Sequence, residues 1–187
     1  MIYVCNLHEM PTHAGVLRPS HLVSLVTSAE QPPTPKEILA ERHLRIEIDD
    51  ISEPMPGAVL PERRDVERLI GFLEVWQHDD APLLIHCVAG ISRSMASALI
   101  GLVLKAGGRE AEAAQHLRRA APHAQPNRRL VALADEILSL EGRLIAAREA
   151  MGPAELMMHG PLVRLPLLAA RSMPVSDRKR EPGRCGG

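Results

Sequence analysis

Leu83-Leu84-Ile85-His86-Cys87-Val88-Ala89-Gly90-Ile91-Ser92-Arg93-Ser94 is the stretch on which the reading of the whole chain turns. Its first three residues are apolar at successive positions, the pattern of a strand buried on both faces and central in its sheet. The segment then meets a cysteine, passes through a short loop with one glycine, and reopens at Arg93 into a run that is apolar nearly all round to about residue 105. A strand, a tight loop and the first turn of a buried helix therefore follow one another. Such a loop presents unpaired backbone N–H groups at the positive end of a helix, a setting that binds anions.

Five residues, Val88, Ala89, Gly90, Ile91 and Ser92, separate Cys87 from Arg93. That is enough chain to curl around one tetrahedral phosphate with its N–H groups inward, and Gly90 admits the positive φ or close backbone approach that such a loop needs. Arg93 closes the ring, because a planar guanidinium holds two phosphate oxygens at once. Cys87 lies at the base, where the field that attracts phosphate also favours a thiolate. His86 is expected to order the loop through ring hydrogen bonds rather than act as a base, since an ionised thiolate needs none. Ser94 is expected to donate to the sulfur, and Ser92 serves either the phosphate ring or the helix cap.

The run from His86 to Ser94 resembles the signature loop of the cysteine-dependent protein tyrosine phosphatases, and its Ala-Gly-Ile-Ser-Arg-Ser ending is similar to the dual-specificity branch. A second stretch, Arg118-Arg119-Ala120-Ala121-Pro122-His123-Ala124-Gln125-Pro126-Asn127, resembles the family's segment between its last helices. There Asn127 is expected to cap the final helix and brace the phosphate loop. The likeness spans roughly residues 2–140 and extends to small bacterial-type members. It implies metal-independent hydrolysis of a phosphomonoester through a cysteinyl phosphate, with no cofactor and with a phosphorylated protein or small phosphomonoester as partner.

Such chemistry also needs a carboxylic acid to protonate the departing oxygen and then activate water. Asp49, Asp50, Glu53 and Asp65 are the candidates near the end of a neighbouring strand. Asp50 leads, because it ends the apolar strand and opens a Pro-rich loop, and the family's acid follows a strand in the same way. Its separation from Cys87, 37 residues, is a little longer than the family interval, so Asp49 and Glu53 stay in contention.

The rest of the chain reads as strands at 2–7, 21–28 and 43–49, the last alternating as a half-exposed strand near an edge. A helical turn is expected within 10–17, another within 36–41, and amphipathic helices at 62–77, 110–120 and, as one long element, 127–149. Strands alternating with helices indicate an α/β domain over residues 1–150, with a central, largely parallel sheet of four to five strands flanked by helices. Residues 151–187 read as a loosely attached extension and disordered tail.

A net charge of −1 gives no footprint for nucleic acid or an anionic membrane, and three aromatics (Tyr3, Phe72, Trp76) supply no stacking platform. No apolar run reaches membrane-spanning length and no leader is legible at residues 1–7, so a cytoplasmic setting is expected. Cys5, Cys87 and Cys185 have neither metal-site nor disulfide spacing. The loop carries no lysine or second arginine, which argues against a highly anionic lipid headgroup. No aromatic-rich tyrosine-recognition segment precedes it, so a shallow site for phosphotyrosine and also phosphoserine or phosphothreonine is expected. Two other readings stand beside this one. The chain could be a phosphate-binding module without turnover, or an enzyme of sulfur transfer or arsenate reduction with Cys5 as resolving thiol.

Overall fold

A computed structural model describes residues 1–76 and 81–168. Five strands, β1 (Ile2–Asn6), β2 (His21–Val26), β3 (His43–Glu47), β4 (Leu83–Cys87) and β5 (Val163–Leu165), form one sheet in the order β3-β2-β4-β1-β5. The first four are parallel to their neighbours, and β5 runs antiparallel to β1. The apolar run thus forms the central strand, with all five β4 residues buried. At the edge, β3 buries Ile46 and exposes Arg45 and Glu47, as its alternation requires.

Among the described residues six α-helices cover the sheet: α1 (Met10–Leu17), α2 (Arg63–Trp76), α3 (Arg93–Ala106), α4 (Glu110–Ala120), α5 (Arg128–Ile137) and α6 (Arg143–Glu149). Alternate β4 residues serve opposite faces. Ile85 joins the main core with Val23, Leu69, Leu99 and Leu130, whereas Leu84 packs with Leu22, Met10 and Ala14 of α1. Buried on both sides, β4 delivers Cys87 to the carboxyl edge of a parallel sheet, where ligands bind in such folds.

The long helix read over 127–149 is two helices. Ser139, Glu141 and Gly142 take positive φ values of 53°, 52° and 83°. The buried Asp135 carboxylate accepts hydrogen bonds from Gly142 N (2.7 Å) and Leu144 N (2.8 Å), capping α6 and turning the chain back. Leu140 and Leu144 still face the core across the break, which is why their spacing reads as one element.

The stretch after Gly152 is also not loosely attached throughout. Residues 163–165 pair with β1. Arg118 of α4 donates to the carbonyls of Met151 and Gly152, securing the start of the strap. A strand of three residues has too little sequence to announce itself; its form comes from the partner strand. The helix end at Gln77, the polar turn at 78–80, Cys185 and the tail at 169–187 lie outside the described residues.

Candidate active site

The loop between β4 and α3 is held by its carbonyls. Val88 O accepts from Leu7 N (3.1 Å), Ala89 O from Gly160 N (2.8 Å), Ile91 O from Gln125 N (2.9 Å) and Ser92 O from Asn127 N (3.3 Å). All these peptides are trans, and a trans peptide points its N–H opposite to its C=O. Carbonyls tied outward to β1, the 152–162 strap and the α4–α5 connection therefore turn the N–H groups of Ala89, Gly90, Ser92 and Arg93 toward the inside of the loop. Gly90 shows the result directly, its N–H donating to Cys87 Sγ at 3.2 Å. Gly90 has φ +73°, and a Cβ there would lie 2.9 Å from the backbone of Cys5 and Asn6, so only glycine fits.

Cys87 Sγ also lies 3.1 Å from Ser94 Oγ, on the first turn of α3. Arg93, 5 % exposed, donates through Nη1 to Ile48 O at 2.7 Å, which carries its guanidinium across to the end of β3. Its buried Nε has no hydrogen-bond partner among the described residues. A buried donor left unpaired is costly, and an anion in the loop would satisfy it.

Of the four candidate acids, Asp50 lines the cleft beside the loop. Its Oδ1 accepts from Ser92 Oγ (2.6 Å) and from Asn127 Nδ2 (2.9 Å). Ser92 thus spends its hydroxyl on Asp50 and makes no side-chain cap. Asn127 Oδ1 caps α5, accepting from Arg129 N and Leu130 N. Asp49 closes its own loop instead, its Oδ2 accepting from Val59 N at 2.7 Å. Glu53 is exposed. Asp65 is buried in the first turn of α2, accepts from Glu62 N, and borders a separate cleft.

His86 turns its Nε2 toward β2. Its Nε2 lies 2.6 Å from Ser24 Oγ, which lies 2.8 Å from His43 Nε2, and His43 Nδ1 lies 2.8 Å from Thr34 Oγ1. Burial pushes both imidazoles down to about 4, with the Arg45 charge adding to the effect at His43. Ser24 Oγ has one hydrogen to donate, so at most one of the two Nε2 atoms accepts from it, which links the two rings across three strands.

Cys5, buried behind the loop, has its thiol pushed up to about 12 by burial and then by Glu9. A thiol held protonated is a weaker nucleophile than a thiolate. Among the described residues no cluster of three or more His, Cys, Asp or Glu is arranged to hold a metal, and no helix is long and apolar enough to cross a membrane.

The cleft beside the loop encloses about 530 Å³, and Asp50, Ile91, Ser92, Asn127, Arg128 and Arg148 are among its lining. Sequence reasoning missed Ser24, His43, Gly160 and the two arginines, since each is brought to the loop by tertiary packing alone.

No protein-family profile and no curated protein matches the chain. Solved structures do. The crystal structure of DUSP15 superposes with a TM-score of 0.58 at 21% identity, over 81% of this chain and 92% of that one. That of human tyrosine phosphatase-like serine/threonine/tyrosine-interacting protein gives 0.59 at 18%, over 75% and 92%. PTPMT1 in complex with PI(5)P gives 0.55 at 13%, over 75% and 94%. The chain has the fold of these dual-specificity and tyrosine phosphatase structures, with five strands and six α-helices among the described residues.

Proposed function

We propose that this protein hydrolyses phosphomonoesters, with phosphotyrosine and also phosphoserine or phosphothreonine proteins as substrates, through a cysteinyl phosphate. The observation that carries the reading is that one loop holds a backbone N–H against Cys87 Sγ and, at Ala89, Ile91 and Ser92, borders the cleft that Asp50 lines, with Ser92 Oγ bonded to the Asp50 carboxyl. The Arg93 guanidinium and the inward N–H groups of Ala89, Gly90, Ser92 and Arg93 bind the phosphoryl oxygens and stabilise the charge that grows on them in flight. Cys87 sulfur attacks phosphorus; the S–P bond forms as the P–O bond breaks, and Asp50 gives its proton to the departing oxygen. Water then attacks phosphorus, its proton passes to Asp50, and the S–P bond breaks to release inorganic phosphate. Ser94, beside the sulfur, donates to the leaving thiolate.

Nucleophile, charge and proton all come from side chains, so the cycle needs no cofactor. The proposed compartment is the cytoplasm, where the thiol stays reduced. The competing reading, a module that binds phosphate without turnover, has one point in its favour: the fold is shared with a tyrosine phosphatase-like interacting protein. An aryl phosphate assay at mildly acid pH separates them. Turnover that vanishes in Cys87→Ser supports the enzyme; no turnover in the wild type supports the module, and turnover retained by Cys87→Ser refutes the nucleophile.

A further inference from the structure

Three of the four ties on the loop's carbonyls come from Leu7 and the α4–α5 connection; the fourth, from Gly160 N–H to Ala89 O at 2.8 Å, comes from the strap. It acts on the peptide nearest the sulfur. Ala89 C=O and Gly90 N–H belong to one planar trans unit, and among the described residues that N–H is the backbone donor to Cys87 Sγ. Tilting the plane at its carbonyl turns the donor away from the sulfur. Gly160 is held from its other side by Asn6, the last residue of β1 and 5 % exposed. Asn6 Nδ2 donates to Gly160 O at 3.1 Å and to Glu9 Oε2 at 3.0 Å, while its Oδ1 accepts from Glu9 N at 3.0 Å. Both amide hydrogens thus have acceptors, and a flipped amide would set oxygen against oxygen at Gly160 and Glu9, so its orientation is fixed. The fit is close: a Cβ on Gly160 would lie 3.0 Å from Gly90 O, and one on Gly90 would lie 2.9 Å from Asn6 N.

We propose that Asn6 is a positioning residue for Cys87: by holding Gly160 it pins the Ala89–Gly90 peptide whose N–H stabilises the sulfur anion. The inference rests on the reading of Cys87 as the nucleophile and adds a residue on another strand, acting through the strap, that governs it. The turn before α1 requires less than Asn6 supplies, since Glu9 N needs only a short oxygen acceptor, which serine or aspartate also offers. The second donor hydrogen, aimed at a glycine 154 residues further along the chain, serves the strap. A hydrogen bond to a charged atom is worth more than one to a neutral atom, so a tilt of this peptide is felt by the thiolate far more than by the thiol.

The test reads the sulfur itself, so it stands whether or not the protein turns substrate over. Rates of alkylation by iodoacetamide are followed against pH on the digested peptide that contains Cys87, which keeps Cys5 and Cys185 out of the signal. Asn6→Ser retains a short acceptor for Glu9 N, carries no charge and cannot reach Gly160. Its rate is expected to fall roughly three- to tenfold on the acid limb of the profile and not to fall on the alkaline plateau, where a thiolate with one donor fewer is the stronger nucleophile. Gly160→Ala, whose Cβ would meet His123 Nε2 at 2.6 Å, acts on the same carbonyl and gives the same change. The two substitutions together give no more than either alone. In the wild type, slow solvent exchange of the Gly160 and Gly90 N–H groups is expected, a reading that needs no variant. An unaltered profile or faster alkylation at every pH in folded Asn6→Ser protein, multiplying effects in the double variant, or rapid exchange at Gly160 overturns the inference. The aryl phosphate assay reports on the enzymatic reading separately.

Discussion

Asn127 Nδ2 donates to Asp50 Oδ1 at 2.9 Å while the other end of the same amide caps α5, so one side chain couples the acid-bearing loop to a helix terminus. Asn127→Ala removes both links and is expected to cost about 1 kcal/mol through the lost cap, together with a fall in kcat. Asn127→Asp keeps the cap acceptor but sets a carboxylate against Asp50. Thermal melts should then show near wild-type stability, with kcat still depressed. Wild-type Tm and kcat in Asn127→Asp, with both lowered in Asn127→Ala, would show that the amide acts on the helix alone.

Asp50 is assigned the proton transfers on position. Asp50→Asn should slow turnover on the order of 10²-fold or more, most for alkyl phosphates, whose leaving oxygens need the proton most. Asp49→Asn should instead loosen the 49–59 loop by removing the acceptor for Val59 N, and Glu53→Gln should do little. A larger rate loss from Asp49→Asn or Glu53→Gln than from Asp50→Asn moves the acid to that residue.

Gly160 is wedged under the loop between β4 and α3. A Cβ there would lie 2.6 Å from His123 Nε2 and 3.0 Å from Gly90 O. Gly160→Ala is therefore predicted to displace the strap from Ala89, destabilise the fold by about 1–3 kcal/mol, and weaken phosphate binding. Urea titration and phosphate protection of Cys87 from alkylation give the two readouts. A variant with wild-type affinity shows that the strap does not shape the loop.

These expectations separate what is legible in sequence from what is not. The β4, loop and α3 segment is readable because burial on both faces, a required glycine and a helix start are local signals, and the edge position of β3 follows from its alternation. The break between α5 and α6 is invisible to periodicity, since it depends on Asp135 reaching two amides beyond the turn. The Ser24, His43 and His86 chain requires strand register, which places Ser24 opposite both Arg45 and His86. Arg128 and Arg148 read as solvated helix faces until tertiary packing brings both helices to one cleft.

His43 and His86 give stability a definite pH dependence. Each ring is lowered from 6.5 to about 4 in the folded protein, so between those values the unfolded chain binds more protons. Their contribution is complete above about pH 6.5 and is lost as pH falls toward 4, at most about 3 kcal/mol per ring and less for the pair, which shares Ser24. His43→Gln should flatten the slope of unfolding free energy against pH in this window by up to about 1.4 kcal/mol per pH unit. An unchanged slope in denaturant titrations at pH 4.5, 5.5 and 6.5 would mean that His43 is charged in the folded state.

The central claim is that Cys87 forms the bond to phosphorus. Wild-type protein mixed with an aryl phosphate, quenched in acid and digested, is predicted to yield one phosphoryl group on the peptide containing Cys87, and none in Cys87→Ser. A phosphoryl group on another residue, or aryl phosphate turnover that persists in Cys87→Ser, would contradict it.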